Sequence, residues 1–115
     1  VNRRRLQLLA GDSVSASKVL RVAGQEAVGM VLAVPVDLSE GAFQQRAAQL
    51  WGAGAAVTWR TALAYDATQS LIAALRRDPT RTGIQRILLL PDFAATGADG
   101  AVKFLPTGDR QGRVQ

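Results

Sequence analysis

Apolar and polar residues follow two different rhythms along this chain, and the change comes near Ser39. Before it, Leu6 to Ala10 and Val28 to Val34 are short, nearly continuous apolar runs, bounded by Gly11-Asp12-Ser13 and by Pro35. Runs of that length with turn residues at their ends predict strands, and the unbroken hydrophobicity of the second predicts cover on both faces. Between them Lys18, Val19, Leu20 and Val22 predict a short helix, capped by Ser13 or Ser15 and closed by Gly24. From Ser39 onward the period is helical: Phe43, Ala47, Leu50 and Trp51 share one face, and Gly52-Ala53-Gly54 breaks the run. The longest predicted helix spans Thr58 to Arg77, with Ala64, Ala67, Thr68, Leu71 and Leu75 as its apolar stripe and Tyr65 and Ile72 widening it. Asp78-Pro79-Thr80 stops that helix, and Thr80 or Thr82 caps another that runs through Ile84, Ile87, Leu88 and Leu89 to Pro91. Ala101 to Leu105 is predicted to be extended, Pro106-Thr107-Gly108-Asp109 to turn, and Val114 to begin a further strand.

Composition narrows the class. At 115 residues and 48% hydrophobic content the chain has the size and apolar share of one globular domain. Its longest apolar runs, MVLAVPV and ILLL, fall far short of the roughly 20 residues that a spanning helix needs. No signal peptide is read here. The chain begins at Val1 and its last residues read as the start of a strand, so it is taken as an excised piece of a longer protein. With no cysteine there are no disulfides and no thiolate metal site, which suits a cytoplasmic or a bacterial periplasmic protein. The net charge of +5 invites a nucleic-acid reading, but the arginines cluster at Arg3 to Arg5 and around the junction of Arg76, Arg77, Arg81 and Arg86. Aromatic residues are few and not interleaved with them, so a solvated face is expected rather than a nucleic-acid surface, the alternative being a basic interaction domain that meets an anionic surface or partner.

Candidate chemistry is sparse. LLAGDSVS resembles the first block of GDSL-type hydrolases, with Ser13 in the place of the nucleophile. Such a serine needs a base to take its proton, normally histidine, and the chain has none. The competing role for Asp12 or Ser13 is to cap the following helix. Asp66 has no second carboxylate near it by local spacing, so no paired-acid mechanism is expected. Asp92, Asp99 and Asp109 sit beside glycine or proline in turns, without the alternating spacing of a calcium loop. No metal and no cofactor are expected.

The order of an ALAYDATQSLIAALRR helix, a second helix ending at PDF, and a glycine-bounded strand in GADGAVKFLPTGDR resembles the C-terminal part of type I periplasmic solute-binding proteins that serve branched-chain amino acid transporters. LQLLAGDS, a short helix and EAVGMVLAVP are similar to the segment that precedes those helices, so the resemblance covers nearly the whole chain. It implies an α/β fold, with residues 1–115 contributing to both lobes of a two-lobed parent. It implies a non-enzymatic function, binding an amino acid or a related small polar molecule for an ABC transporter. The implied partners are that ligand and the membrane permease, with no nucleic acid, and the implied place is periplasmic or extracytoplasmic, a lipid anchor being one way to hold the parent there. Asp12 matches the acidic residue that accepts the ligand's ammonium group, a task suited to a carboxylate in a partly desolvated cleft. Trp59, Arg60 and Tyr65, at the start of the long helix, match the region that borders the cleft, where Trp59 adds apolar wall and Arg60 pairs a carboxylate. Ordinary packing is the competing role for Trp59 and Tyr65, and plain solvation for Arg60. A piece cut from two lobes is also expected to self-associate through apolar surfaces such as that of Val28 to Val34.

Overall fold

The computed structural model describes residues 6–35, 41–54 and 56–112. The expectations that fall on Arg3 to Arg5, Ser39 and Val114 lie outside the described residues. What is described is a small mixed helix and strand protein, compatible with the α/β class. Pro35 closes the first of two compact units, and Gly41 to Gly112 belong to the second.

The first unit is a β-α-β arrangement. Strand β1 (Leu9–Ala10) pairs in parallel with β2 (Val31–Leu32), Leu9 opposite Val31 and Ala10 opposite Leu32. The Val31 N–H donates to the Leu8 carbonyl and the Ala33 N–H to that of Ala10, both at 2.9 Å. Helix α1 (Ser17–Ala23) lies between them in the chain, and the predicted stop holds: Gly24 takes a left-handed φ of 52° and returns its N–H to the Leu20 carbonyl. The predicted cap does not hold. Ala16 occupies the cap position without a side-chain bond, because Asp12–Val14 form a short 3-10 turn that carries Ser13 and Ser15 ahead of the helix start. Cover on both faces of the second strand also fails, since Val28 and Val31 are exposed. A parallel pair needs helices on both sides to be buried, and one seven-residue crossover helix cannot supply both.

In the second unit helix α2 (Ala42–Trp51) ends at Gly52 as expected, and α3 (Trp59–Arg77) starts after Thr58, whose N–H donates to the Thr61 hydroxyl at 3.2 Å. Helix α4 (Arg81–Leu88) is capped by Thr80, which accepts the Gly83 N–H at 3.0 Å. A hairpin of β3 (Ala95–Gly97) and β4 (Gly100–Val102) follows, with Ala95 opposite Val102 and Gly97 opposite Gly100. The extended stretch expected over Ala101 to Leu105 takes the form of β4 and the bridge from Phe104 to Arg110, while no apolar pattern in the sequence marks β3. The predicted turn at 106–109 is closed by the Leu105 N–H to Asp109 and the Gly108 N–H to Leu105, both at 2.8 Å.

The core is made by Ala74, Ile87, Phe93, Ala95 and Val102, with Ile84, Leu88 and Phe104 packed against it. Helix α3 meets this core through a face different from the predicted one. Ala62, Asp66, Ser70 and Ala74 are buried, whereas Ala64, Ala67 and Thr68 are exposed and Leu71 keeps 48% of its surface in solvent. Both stripes repeat at helical spacing, so periodicity alone does not choose between them. Size does: α4 and β3 press on α3, and a row of small side chains lets them approach closely. The Ser70 hydroxyl in that row is satisfied by the Asp66 carbonyl at 2.8 Å. Gly97 marks a close contact of β3 with α3, for a Cβ there would lie 2.6 Å from both Asp66 Oδ1 and Val102 Cγ2.

Candidate functional site

In the first unit the residue of interest is Asp12. It opens the 3-10 turn directly after β1, at the carboxyl end of a parallel strand, where open α/β folds gather ligand groups. Its backbone carbonyl accepts the Ser15 N–H at 3.0 Å, and its half-buried carboxylate receives no hydrogen bond among the described residues. It therefore does not cap α1, and the capping role weighed for it falls away. Ser13 is exposed in the same turn, and the chain holds no histidine to act as its base.

In the second unit Trp59 and Arg60 come together as the first residues of α3. The Arg60 guanidinium carbon stands 4.2 Å from the centre of the Trp59 ring, a cation–π stack that occupies the guanidinium face and leaves its N–H edge for other partners. The indole Nε1 of Trp59 is buried and has no hydrogen-bond partner among the described residues, an arrangement that costs about 1–3 kcal/mol if nothing pairs it. Tyr65 is placed otherwise. Its ring packs on Phe43 of α2 with centroids 5.0 Å apart, and it lines a small apolar cleft with Arg46, Ala47, Leu50 and Trp51. Its observed contacts are those of helix packing.

The most strongly held polar group is one that sequence reasoning treated only as an unpaired acid. Asp66 is buried on α3, receives the Ala98 N–H at 2.6 Å, and pairs with the Arg110 guanidinium at 2.7 Å across 44 residues. Charge-assisted bonds of this length in a buried setting are strong, and they clasp the hairpin turn and the segment after β4 onto the long helix. Every oxygen of this carboxylate is engaged, so Asp66 serves the fold rather than a ligand. The signal that points to it is its place in the small-residue row of α3, where a lone carboxylate must find a partner.

Asp78 anchors the second polar cluster, at the junction of α3 and α4. Its carboxylate accepts the Thr80 hydroxyl at 2.7 Å and the Thr80 N–H at 3.0 Å, and meets Arg86 at 3.1 Å. The Thr80 hydroxyl bond and then its backbone bond hold the Asp78 carboxyl below its ordinary value against the opposing effect of desolvation, and the Arg86 charge adds a smaller lowering. The arginines expected to form a solvated face, Arg76, Arg77, Arg81 and Arg86, are all exposed, and Arg86 also pairs with Asp78.

Among the described residues no three potential metal ligands cluster, and no helix is long and apolar enough to cross a membrane. Comparison with family models, with curated proteins and with solved structures found no match to this chain.

Proposed function

We propose that this chain is part of a two-lobed type I solute-binding receptor, which takes up an amino acid or a related small polar molecule outside the cytoplasm and hands it to a membrane transporter without chemical change. The observation that carries this reading is Asp12: a half-buried carboxylate with no bond among the described residues, at the carboxyl end of a strand in a parallel β-α-β unit. A carboxylate so placed suits an ammonium group, which brings both charge and several N–H donors. Within the second unit, the stacked Arg60 keeps a guanidinium N–H edge of the kind that pairs a carboxylate, the role the resemblance implies for the start of this helix. A second support comes from the two stretches that carry the resemblance. AYDA and GDR meet in one ion pair through Asp66 and Arg110, so they work as one structural unit. The exposed Leu9, Val28 and Val31 further favour self-association of the isolated chain.

The test is Asp12→Asn in the full-length parent, which keeps the shape and one acceptor oxygen and removes the charge. Affinity for the best ligand from a panel of amino acids is expected to fall by about 1.5–3 kcal/mol, at least roughly tenfold, in calorimetry. An unchanged affinity removes Asp12 from the site and the reading with it.

A further inference from the structure

A cleft of about 300 Å³ opens in the second unit between the C-terminal half of α4 and the turn that follows β4. Leu88, Leu89, Phe104 and Pro106 give it carbon walls, and Gln85, Thr107 and Gly108 complete the lining. It draws on none of the residues assigned to the proposed solute site. We propose that this cleft binds a small, neutral, two-ring aromatic molecule that carries a single hydrogen-bond donor, of the size and chemistry of indole.

Three observations select that ligand. The first is volume: an apolar cavity of about 150 Å³ holds one benzene ring, so roughly twice that space admits a fused pair. The second is charge, for no lining residue among the described residues is ionisable, and a charged ligand loses its hydration without a counter-charge in return from them. The third is the direction of the hydrogen bonds. The Thr107 hydroxyl donates its one proton to Asp109 Oδ2 at 2.8 Å, so toward the cleft it can only accept. The Gly108 N–H is taken by the Leu105 carbonyl at 2.8 Å. The Gln85 side chain makes no hydrogen bond among the described residues and can turn either its amide oxygen or its NH2 to a ligand, so Thr107 is the group that sets the direction. A ligand that must donate one hydrogen bond and bury two rings fits this lining. The turn is already fixed by its own bonds, and a preformed wall spares the ligand the cost of ordering it.

The experiment follows the backbone amides of the whole chain by NMR while indole is added, with benzofuran, the same shape without the N–H, as its comparator. Shifts are expected at Leu88, Leu89, Phe104, Thr107 and Gly108, with benzofuran bound roughly two- to tenfold more weakly, the range for one neutral hydrogen bond. Thr107→Val removes the hydroxyl acceptor and is expected to narrow the difference between the two compounds. Leu89→Trp, at an exposed position on the rim, is expected to fill the cleft and abolish binding of both while leaving the amide spectrum elsewhere unchanged. Absence of shifts up to the solubility of indole overturns the proposal, as does equal affinity for indole and benzofuran in the unaltered chain. Shifts that track dimer formation with protein concentration also overturn it, because a side chain of a second copy is then the occupant. If Thr107→Val disturbs the turn itself, the indole–benzofuran comparison on the unaltered chain decides alone.

Discussion

The described residues contain two strand pairs of similar length, and they have opposite fates. The parallel pair β1–β2 leaves Leu9 77% and Val31 54% exposed, whereas the antiparallel pair β3–β4 buries Ala95 to 7% and Val102 to 2%. Strand propensity does not explain this, since Leu and Val are at least as suited to strands as Ala. Two strands alone are marginal in water and need a third layer. The hairpin has one: it rests on α3, continues the core of Ala74, Ile87 and Phe93, and is clasped through Ala98 and Arg110 to Asp66. The parallel pair leaves Leu9 and Val31 largely in solvent and Ala10 and Leu32 only half-buried, and beside its ladder Gln7 donates to the Gly29 and Leu8 carbonyls. Local order in this protein thus follows what a strand pair is packed against.

Breaking the clasp tests that view most severely. Asp66→Ala leaves Arg110 without its partner and Ala98 without an acceptor, and the second unit is expected to lose about 3–5 kcal/mol of stability, the range for breaking one side of a buried ion pair. Both tryptophans, Trp51 and Trp59, lie in that unit, so urea unfolding followed by tryptophan fluorescence reports it directly. Asp66→Asn, which keeps an acceptor, is expected to lose less. Equal losses for the two variants make the charge irrelevant, and no loss in either removes the clasp as the source of the difference between the strand pairs.

A smaller effect is expected at the α3–α4 junction. Thr80→Ala removes the cap bond to Gly83 and the hydroxyl bond to Asp78, with an expected cost of about 1 kcal/mol. The same cluster sets a pH dependence. The folded Asp78 carboxyl is held below its unfolded value, so its stabilising effect is complete above about pH 4, near the ordinary value of an aspartate, and fades as pH falls through the lower folded value. Acid unfolding of Thr80→Ala is therefore expected to begin at higher pH than in the unaltered chain, and a superimposable acid profile in circular dichroism refutes the role given to Asp78.

The smallest effect is expected in the first unit. Val31→Ala, at a half-exposed site, is expected to shift stability by less than about 0.5 kcal/mol, as surface substitutions usually do. Hydrogen exchange sharpens the contrast: the Val31 and Ala33 amides, though bonded in the ladder, are expected to exchange faster than those of β4, because few buried contacts resist local opening there. Protection of Val31 equal to that of Val102 shows that the first unit is held as firmly as the second.

The element order was legible at the points where the backbone is punctuated. Gly24, Gly52, Thr80 and the 106–109 turn each act through local chemistry that a neighbour cannot change: a left-handed φ, a missing side chain, a hydroxyl three residues from a free amide. Helical period and turn residues therefore set where α2, α3 and α4 begin and end. The face of α3 that is buried was decided by tertiary structure, because two stripes share the same spacing and only the approach of α4 and β3 selects the row of small side chains. The same holds for Asp66, whose partners lie 32 and 44 residues away and cannot be read from local spacing. Of the candidate site, the sequence by itself singled out Asp12, Trp59 and Arg60 as residue types and positions. That Asp12 leaves α1 uncapped, that Arg60 stacks on Trp59, and that Tyr65 packs on Phe43 were settled only when the chain folded, since each depends on where neighbouring backbone comes to rest.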